Sequence, residues 1–387
     1  MPREPGDRKS TAVLRDSRRR ALRALAALLA PIPAIAADSS GSKRLAPLVL
    51  ARSKYAQVVP GQPLRFPADE GSHPAFRTEW WYVTGWLEPP GRAAVGFQIT
   101  FFRTRPDINE RNPSAFTPHQ IMIAHAALSD ADRGRLLHDQ HVARAAFELA
   151  GAGLGRTHVW IDDWSLVQDG STYRARIPAR DFGLDLVFRQ TQPPLLQGEQ
   201  GLSRKGPHPE SASSYYYSIP QLAVSGTLIE SARRTAVVGT AWLDHEWSSS
   251  YMDERAAGWD WTGINLNDGS ALMAFRMRAR NGASLWAGGA HRDAAGVRRV
   301  FAPDEVRFVP MRAWQSPRTG ATYPVAWRLH AGGREITLEP LMDDQESDTR
   351  ATVGAVYWEG AVRAFDNGRP VGRGYLELTG YVQPLRL

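Results

Sequence analysis

Apolar and polar residues alternate along this chain in short runs separated by turn-forming residues. In residues 94–101, Val95, Phe97, Ile99 and Phe101 fall on one face of an extended segment, because strand side chains point alternately to opposite sides. The run before it, TEWWYVTGWL at 78–87, is divided from it by Pro89-Pro90-Gly91. That pattern predicts a β-hairpin with a half-buried return strand. Further strands are predicted at 120–129, 160–173, 174–188, 223–228, 271–278, 283–292, 323–330, 335–340, 355–364 and 374–382. Residues 189–214 carry no period and predict a long loop, of a length that is often functional. Long helical periodicity is absent. The chain is therefore expected to be all-β, closed as barrels or sandwiches because closure removes exposed sheet edges.

The opening hairpin recurs. A shift of 178 residues sets Trp81, Thr84, Gly85, Gly91, Ala93 and Phe97 on Trp259, Thr262, Gly263, Gly269, Ala271 and Phe275, six identities in an ungapped window of 17. A turn falls at the same place in both copies, as PPG and then NDG. Two copies of one hairpin predict two related β-domains in tandem. A looser echo pairs Trp242-Leu243-Asp244 with Tyr375-Leu376-Glu377, which sets His245 against Leu378 and Glu246 against Thr379. The second copy keeps the strand and loses the polar pair, so function rather than folding is expected to explain that pair in the first.

Charge and composition change this picture at the N-terminus. Arginines 18–20 precede an apolar run at 24–37 that contains Ala34-Ile35-Ala36, a small-x-small processing signal. This predicts a cleavable export signal, with the paired arginines pointing to the twin-arginine type and a periplasmic or secreted mature protein. The expected divisions are a signal at 1–37, a linker or arm at 38–64, and β-domains at 65–250 and 251–387. The chain's formal charge is +7, but residues 1–37 hold eight Lys+Arg against three Asp+Glu, which leaves 39 against 37 beyond them. No polybasic stripe remains to argue for nucleic acid. With no cysteine, disulfides, thiol chemistry and Cys-ligated metal are excluded.

The densest chemistry lies at 239–261, which packs four tryptophans, one histidine and five carboxylates into 23 residues. Period two sets Leu243, His245 and Trp247 on one strand face and Asp244 and Glu246 on the other. An acid buried among indoles keeps its proton near neutral pH, and aromatic faces stabilise a developing cation. Asp260, flanked by Trp259 and Trp261, has such surroundings, and Glu246 is the alternative acid. His245 suits the holding of a water molecule. The competing reading gives these acids to backbone and indole N–H groups in need of buried acceptors. His73, Glu79 and His125 are further candidate members, and the Tyr215-Tyr216-Tyr217 triplet reads as a ligand mouth or as a core strand. Metal is not expected, because Asp244, His245 and Glu246 are adjacent on a strand and cannot converge on one ion. Neither a Gly-x-Ser-x-Gly elbow nor a phosphate-binding loop occurs.

Five segments, HPAFRTEWWYVTG (73–85), SYYYSIPQLAVSGTL (214–228), WLDHEWSS (242–249), GWDWTGINLNDGSALMAFRMR (258–278) and GYLELTGY (374–381), resemble bacterial secreted lipocalin-like proteins related to acyclic carotenoid 1,2-hydratase. The resemblance spans about residues 73–381 and implies two tandem lipocalin-like β-barrel domains and cofactor-free addition of water to an apolar polyene. It implies that His245 and Trp247 form a functional His-x-Trp and that Asp260 is the downstream aspartate. Gly258 departs from the family's tyrosine two residues before that aspartate. Expected catalytic residues are thus His245, Asp260, Glu246 and Trp247, and expected ligand contacts are Trp81, Tyr82, Tyr216, Trp259 and Trp261. The expected partner is an apolar small molecule or lipid, with peripheral membrane contact and no nucleic acid. The alternatives are a non-catalytic carrier and a secreted hydrolase.

Overall fold

The computed structural model describes residues 54–108, 112–114 and 116–385, and the export signal read at 1–37 lies outside them. Two antiparallel sheets account for nearly all regular structure. The first begins with β1 (Thr78–Glu88), β2 (Val95–Thr104), β3 (Ile121–Ser129) and β4 (Leu137–Arg144). It continues through β5 (Ala150–Ala152), β6 (His158–Ile161), β7 (Trp164–Asp169), β8 (Thr172–Pro178) and β9 (Gly183–Arg189). Short β10 (Leu195–Leu196) and β11 (Leu202–Arg204) precede two long strands, β12 (Ser213–Glu230) and β13 (Arg233–Ser250). The second sheet holds β14 (Ala256–Leu266), β15 (Ala271–Ala279), β16 (Ser284–Arg292), β17 (Arg298–Phe301) and β18 (Val306–Gln315). It ends with β19 (Thr322–Ala331), β20 (Arg334–Pro340), β21 (Glu346–Thr349), β22 (Ala355–Asp366) and β23 (Arg369–Leu378).

In the first sheet the order β4-β3-β2-β1-β13-β12-β9-β8-β7-β6-β5 curls until β3 and β4 touch β5 and β6. In the second, β17-β16-β15-β14-β23-β22-β20-β19-β18 brings β18 onto β15 and β16. The result is two lipocalin-like barrels in tandem, each filled by its own apolar core. The two anticipated hairpin turns both form. Gly91 and Gly269 sit there at φ 75° and 85°, a left-handed conformation that glycine takes without steric cost.

Two details differ from the sequence pattern. The run at 160–173 is broken by a turn at 162–163, where Asp162 has φ 53°, and another at 170–171. The expected loop at 189–214 contains β10 and β11, which pair with β12. They went unseen because strands of two or three residues are too short to show a period.

The repeat is real, but its register is one residue longer than the identities suggest. Trp81 lies in the core of the first barrel, whereas Trp259 packs outside the second. The ladders place Thr84 opposite Trp242 and Gly263 opposite Tyr375. With Trp242 matched to Tyr375, Thr84 corresponds to Gly263, a shift of 179 residues. Trp80 then matches Trp259, Tyr82 matches Trp261, and Trp81 matches Asp260. A slip of one residue exchanges the two faces of a strand, so this correction decides which side chains meet.

The barrels pack through β1, β2, β12 and β13 of the first against β14, β22 and β23 of the second. A third apolar cluster that includes Tyr82, Trp86, Trp242, Trp261, Met273 and Tyr375 fills the seam. Burying one such side chain stabilises by ~1.5–3 kcal/mol. Gly96 permits the close approach, since a Cβ there would lie 2.4 Å from Ala361 Cβ. Polar stitches fix the register, with Trp86 Nε1 donating to Gly374 O at 3.1 Å and Asn265 Nδ2 to Ala241 O at 3.0 Å.

Candidate functional site

Strand parity on β13 sorts its polar residues into two places. Leu243, His245 and Trp247 turn into the first barrel, whose core holds Leu243 and Trp247. Asp244 and Glu246 turn outward to the seam. Inside the barrel, His245 Nε2 lies 2.9 Å from Glu79 Oε1 and Nδ1 lies 3.0 Å from Tyr217 Oη. Burial lowers the His245 pKa to about 4, so the ring is neutral and donates Nε2–H to the carboxylate. His73 stacks on Trp247 at 3.7 Å and presents Nδ1 to Glu79 at 2.7 Å and Nε2 to Asp69 at 3.2 Å. Burial opposes protonation of His73, but its two acid partners prevail and raise its pKa.

Glu79 is saturated. Ser72 Oγ, the His73 backbone N–H and Arg103 Nε, at 3.0, 2.9 and 2.8 Å, reach Oε2. Burial alone would favour the neutral acid, but donors from His245 and His73 and the charge of Arg103 hold its pKa well below the ordinary range. His73, Glu79 and His245 also offer ligand atoms within 4.8 Å of one another. Arg103 already neutralises Glu79, so a dication there would meet a fixed positive charge. The cluster ties the segment ahead of β1 to the barrel wall, and nothing in it borders the cleft described below.

Asp260 is in a different compartment. It turns into the second barrel, accepting from Arg276 Nε at 2.6 Å and Tyr381 Oη at 2.9 Å, with Arg278 Nε at 3.6 Å. Arg276 in turn lies over the Trp327 ring of that core. The expectation that His245 and Asp260 share one site is therefore corrected, because adjacent barrels enclose them separately. Trp81 and Trp247, expected in the site, are likewise core residues of the first barrel.

The seam holds a cavity of 270 Å³. Trp80, Tyr82, Tyr216, Trp259, Trp261 and Phe275 supply much of its wall. Of the residues expected there, Tyr82, Tyr216, Glu246, Trp259 and Trp261 are present. Glu246 is held by Lys205, whose Nζ lies 2.7 Å away, and by Ser214. Lys205 comes from the segment expected as a functional loop, and its ammonium stands 4.6 Å from the centre of the Phe275 ring. His125 sits at the margin, 2.9 Å from Tyr357 Oη, with its pKa brought to about 3 by burial.

Three more carboxylates face this cavity, Asp244, Glu359 and Glu377, and the strand ladders show how they are set. Asp244 lies opposite Ser218 on β12, and Glu377 lies opposite Glu359 on β22. These rungs correspond under the repeat, as do Tyr216 with Tyr357 and Trp242 with Tyr375. Asp244 accepts from Tyr216 Oη at 2.7 Å, Ser218 Oγ at 2.5 Å and Trp242 Nε1 at 2.7 Å. Burial nevertheless raises its pKa to about 7 against those donors.

The second rung is poorly supplied. Serine is replaced by Glu359, an acid facing an acid. Tyr357 turns its hydroxyl to His125, and Tyr375 Oη, like Glu359 Oε1, is buried without a hydrogen-bond partner. Glu377 accepts from Trp259 Nε1 at 2.9 Å. Burial and then the charge of Glu377 push the Glu359 pKa well above the carboxylate range, and burial raises Glu377 as well. Like charges across one rung cannot both ionise cheaply, so the pair keeps a proton at neutral pH. Sequence reading missed Glu359, Lys205 and Tyr357. The echo had matched Glu377 to Asp244 without assigning it to a site.

Comparison with known proteins agrees with this architecture. No curated protein matches the chain. A solved structure from Nitrosomonas europaea, described as an AttH, is 54% identical, with 84% of this chain and 99% of that one aligned and a TM-score of 0.78. Kievitone hydratase from Nectria haematococca is 14% identical over 85% of this chain and 97% of that one, with a TM-score of 0.62, a likeness of fold. The AttH-like family model matches residues 57–381, nearly the whole of the two barrels, and the chain belongs to the AttH-like family.

Proposed function

We propose that the seam between the barrels binds an uncharged, mainly apolar molecule and adds water across one of its double bonds. The observation that carries this is the Glu359–Glu377 rung, a carboxyl pair walled by aromatic rings, in which Glu359 has the Tyr82 phenol beside it and no well-formed hydrogen bond on Oε1. Hydration of an unactivated alkene needs a strong, positioned acid, because its transition state resembles a carbocation. A protonated carboxyl in an apolar cleft supplies the proton, and indole and phenol faces stabilise the cation by ~0.5–2 kcal/mol each. The acid assigned from sequence to Asp260 or Glu246 thus passes to Glu359–Glu377, since Asp260 faces the second barrel and Glu246 is engaged by Lys205.

A polyene of the carotenoid type fits this reading through its end group, as 270 Å³ takes one end of a long chain. The family likeness and the name of the kievitone hydratase fold relative support hydration as the reaction class. The arginine-rich start at 1–37 supports a place of work outside the cytoplasm.

Incubation of the purified protein with lycopene and with a lipid extract of Nitrosomonas europaea tests the proposal. Mass spectrometry is expected to show products heavier by one water with the native protein and none with Glu359→Gln. Unchanged ligand co-purifying with both proteins would make it a carrier, and ester or amide fragments would make it a hydrolase.

A further inference from the structure

Tyr357 and His125 form a unit that the acid pair does not use. Tyr357 lines the cavity two residues before Glu359 on β22, so both side chains face the same space. Its hydroxyl lies 2.9 Å from Nδ1 of His125, a fully buried ring on β3 of the other barrel. His125 Nε2 lies 2.9 Å from Thr352 Oγ1, and Thr352 donates to Gln140 Oε1 at 2.7 Å. The Gln140 amide is itself oriented, because its Nε2 donates to Asp348 O at 2.9 Å.

Satisfying all of these partners selects one proton order along the chain. Gln140 spends its N–H on a carbonyl, so its oxygen takes the single Thr352 proton at 2.7 Å, with the Thr349 carbonyl a longer alternative at 3.3 Å. Thr352 must then accept from His125, which puts the ring proton on Nε2 and leaves Nδ1 a bare acceptor. Tyr357 therefore donates its own O–H to Nδ1, and its oxygen, with the Ser347 hydroxyl beside it, keeps a lone pair on the wall of the cavity. Its counterpart Tyr216 is set the opposite way, accepting from Trp261 Nε1 at 3.0 Å and donating to Asp244.

We propose that Tyr357, oriented by His125, holds the water that attacks the substrate and receives the proton this water sheds. The inference rests on the hydratase reading and deepens it. The carboxyl of the Glu359–Glu377 pair gives its proton to one alkene carbon, leaving a carboxylate and a cation at the other. A lone pair of the water on Tyr357 Oη forms the C–O bond. One water proton then passes to Tyr357 Oη as the phenol proton moves to His125 Nδ1. The product is a neutral alcohol, and the enzyme is left with one carboxylate and a transient imidazolium that burial makes strongly acidic. Return of that proton from His125 to the acid pair, as the alcohol leaves, completes the balance without oxidant or cofactor. Tyr357 is a catalytic residue in this scheme and His125 a positioning residue.

Separating carbon protonation from water addition tests the proposal. Native protein, Tyr357→Phe and His125→Gln are each incubated with lycopene and the Nitrosomonas europaea lipid extract, once in deuterium oxide and once in water labelled with oxygen-18. Native protein is expected to incorporate both labels. Tyr357→Phe is expected to lose oxygen-18 incorporation by ~10²-fold or more, the scale of a removed general base, while still exchanging deuterium into recovered alkene. Retained deuterium exchange shows that this variant is folded with its acid in place. His125→Gln, which keeps the phenol but not its orientation, is expected to lower oxygen-18 incorporation without lowering deuterium exchange. Oxygen-18 incorporation at the native rate in Tyr357→Phe would overturn the role given to Tyr357 and leave the hydratase reading standing. Absence of both labels with native protein would overturn the reading and the inference together, and loss of both in each variant would mark the dyad as structural.

Discussion

The same ladder position in the two barrels carries opposite chemistry. In the first, Asp244 faces Ser218 and collects three donors, one each from Ser218, Tyr216 and Trp242. In the second, Glu377 faces another acid, its tyrosine neighbour is turned to a histidine, and the residue matching Trp242 is a tyrosine whose hydroxyl has no partner. One rung is a finished piece of structure that borders the cleft. The other is a buried acid pair short of donors and adjoining open volume. Burial is common to both, so what separates a structural acid from a candidate catalyst is unmet hydrogen-bonding capacity facing a cavity. Glu79 makes the same point from inside a barrel, where donors on both oxygens and Arg103 hold it ionised.

The largest effect that would break this contrast is on Glu79. Glu79→Gln leaves Arg103 buried without its counter-charge, and urea unfolding should show a loss of about 3–5 kcal/mol. A loss below 1 kcal/mol would mean that the cluster is not the clasp described. Next comes Glu359→Gln, expected to lower water addition by ~10²–10⁴-fold, as for a removed general acid, with the fold intact by circular dichroism. Activity at the native level would take the acid role away from this rung.

The pH dependence of stability sharpens the comparison. A carboxyl whose pKa is raised on folding binds more protons in the native state, so its stabilising effect is complete below the unfolded pKa. That effect is lost as pH rises toward the folded value. The raised carboxyls should therefore remove stability from the ordinary carboxylate range upward, by about 1.4 kcal/mol per pH unit for each proton held, against the opposite slope that the buried neutral His125 and His245 add up to the unfolded histidine value. Glu359→Gln should flatten that decline, and equal slopes in the two proteins would contradict the raised pKa. The smallest expected effect is that of Ser218→Glu, which copies the second rung into the first. It removes a donor from Asp244 and adds a like charge, and should cost about 1–3 kcal/mol at neutral pH while adding the same slope. An unchanged unfolding midpoint would show that the rung tolerates two acids without strain.

Much of the architecture could be read from the chain, because period-two runs and glycine turns are local signals. The hairpin repeat revealed two barrels, and parity on β13 separated His245 from Asp244 and Glu246 correctly. The site was harder to read, for two reasons. His245 and Asp260 are 15 residues apart and share an aromatic setting, yet parity sends them into different barrels. Glu359 meets Glu377 only because β22 pairs with β23, and such a pairing leaves no trace in local composition. Gly258 departs from the family's tyrosine, and the structure seats that glycine against the Thr379 carbonyl, where a Cβ would come within 2.4 Å.

The central claim is that the seam holds a protonated carboxylic acid at neutral pH, and infrared spectroscopy of the purified protein tests it most directly. The account predicts a carbonyl band of neutral carboxyl groups at pH 7, shifted in deuterium oxide, weakened in Glu359→Gln, where Asp244 and Glu377 with pKa values of about 7 keep a share of it, and retained in full in Glu79→Gln. A pH 7 spectrum without that band, or one in which Glu359→Gln leaves the band at full strength, would contradict it.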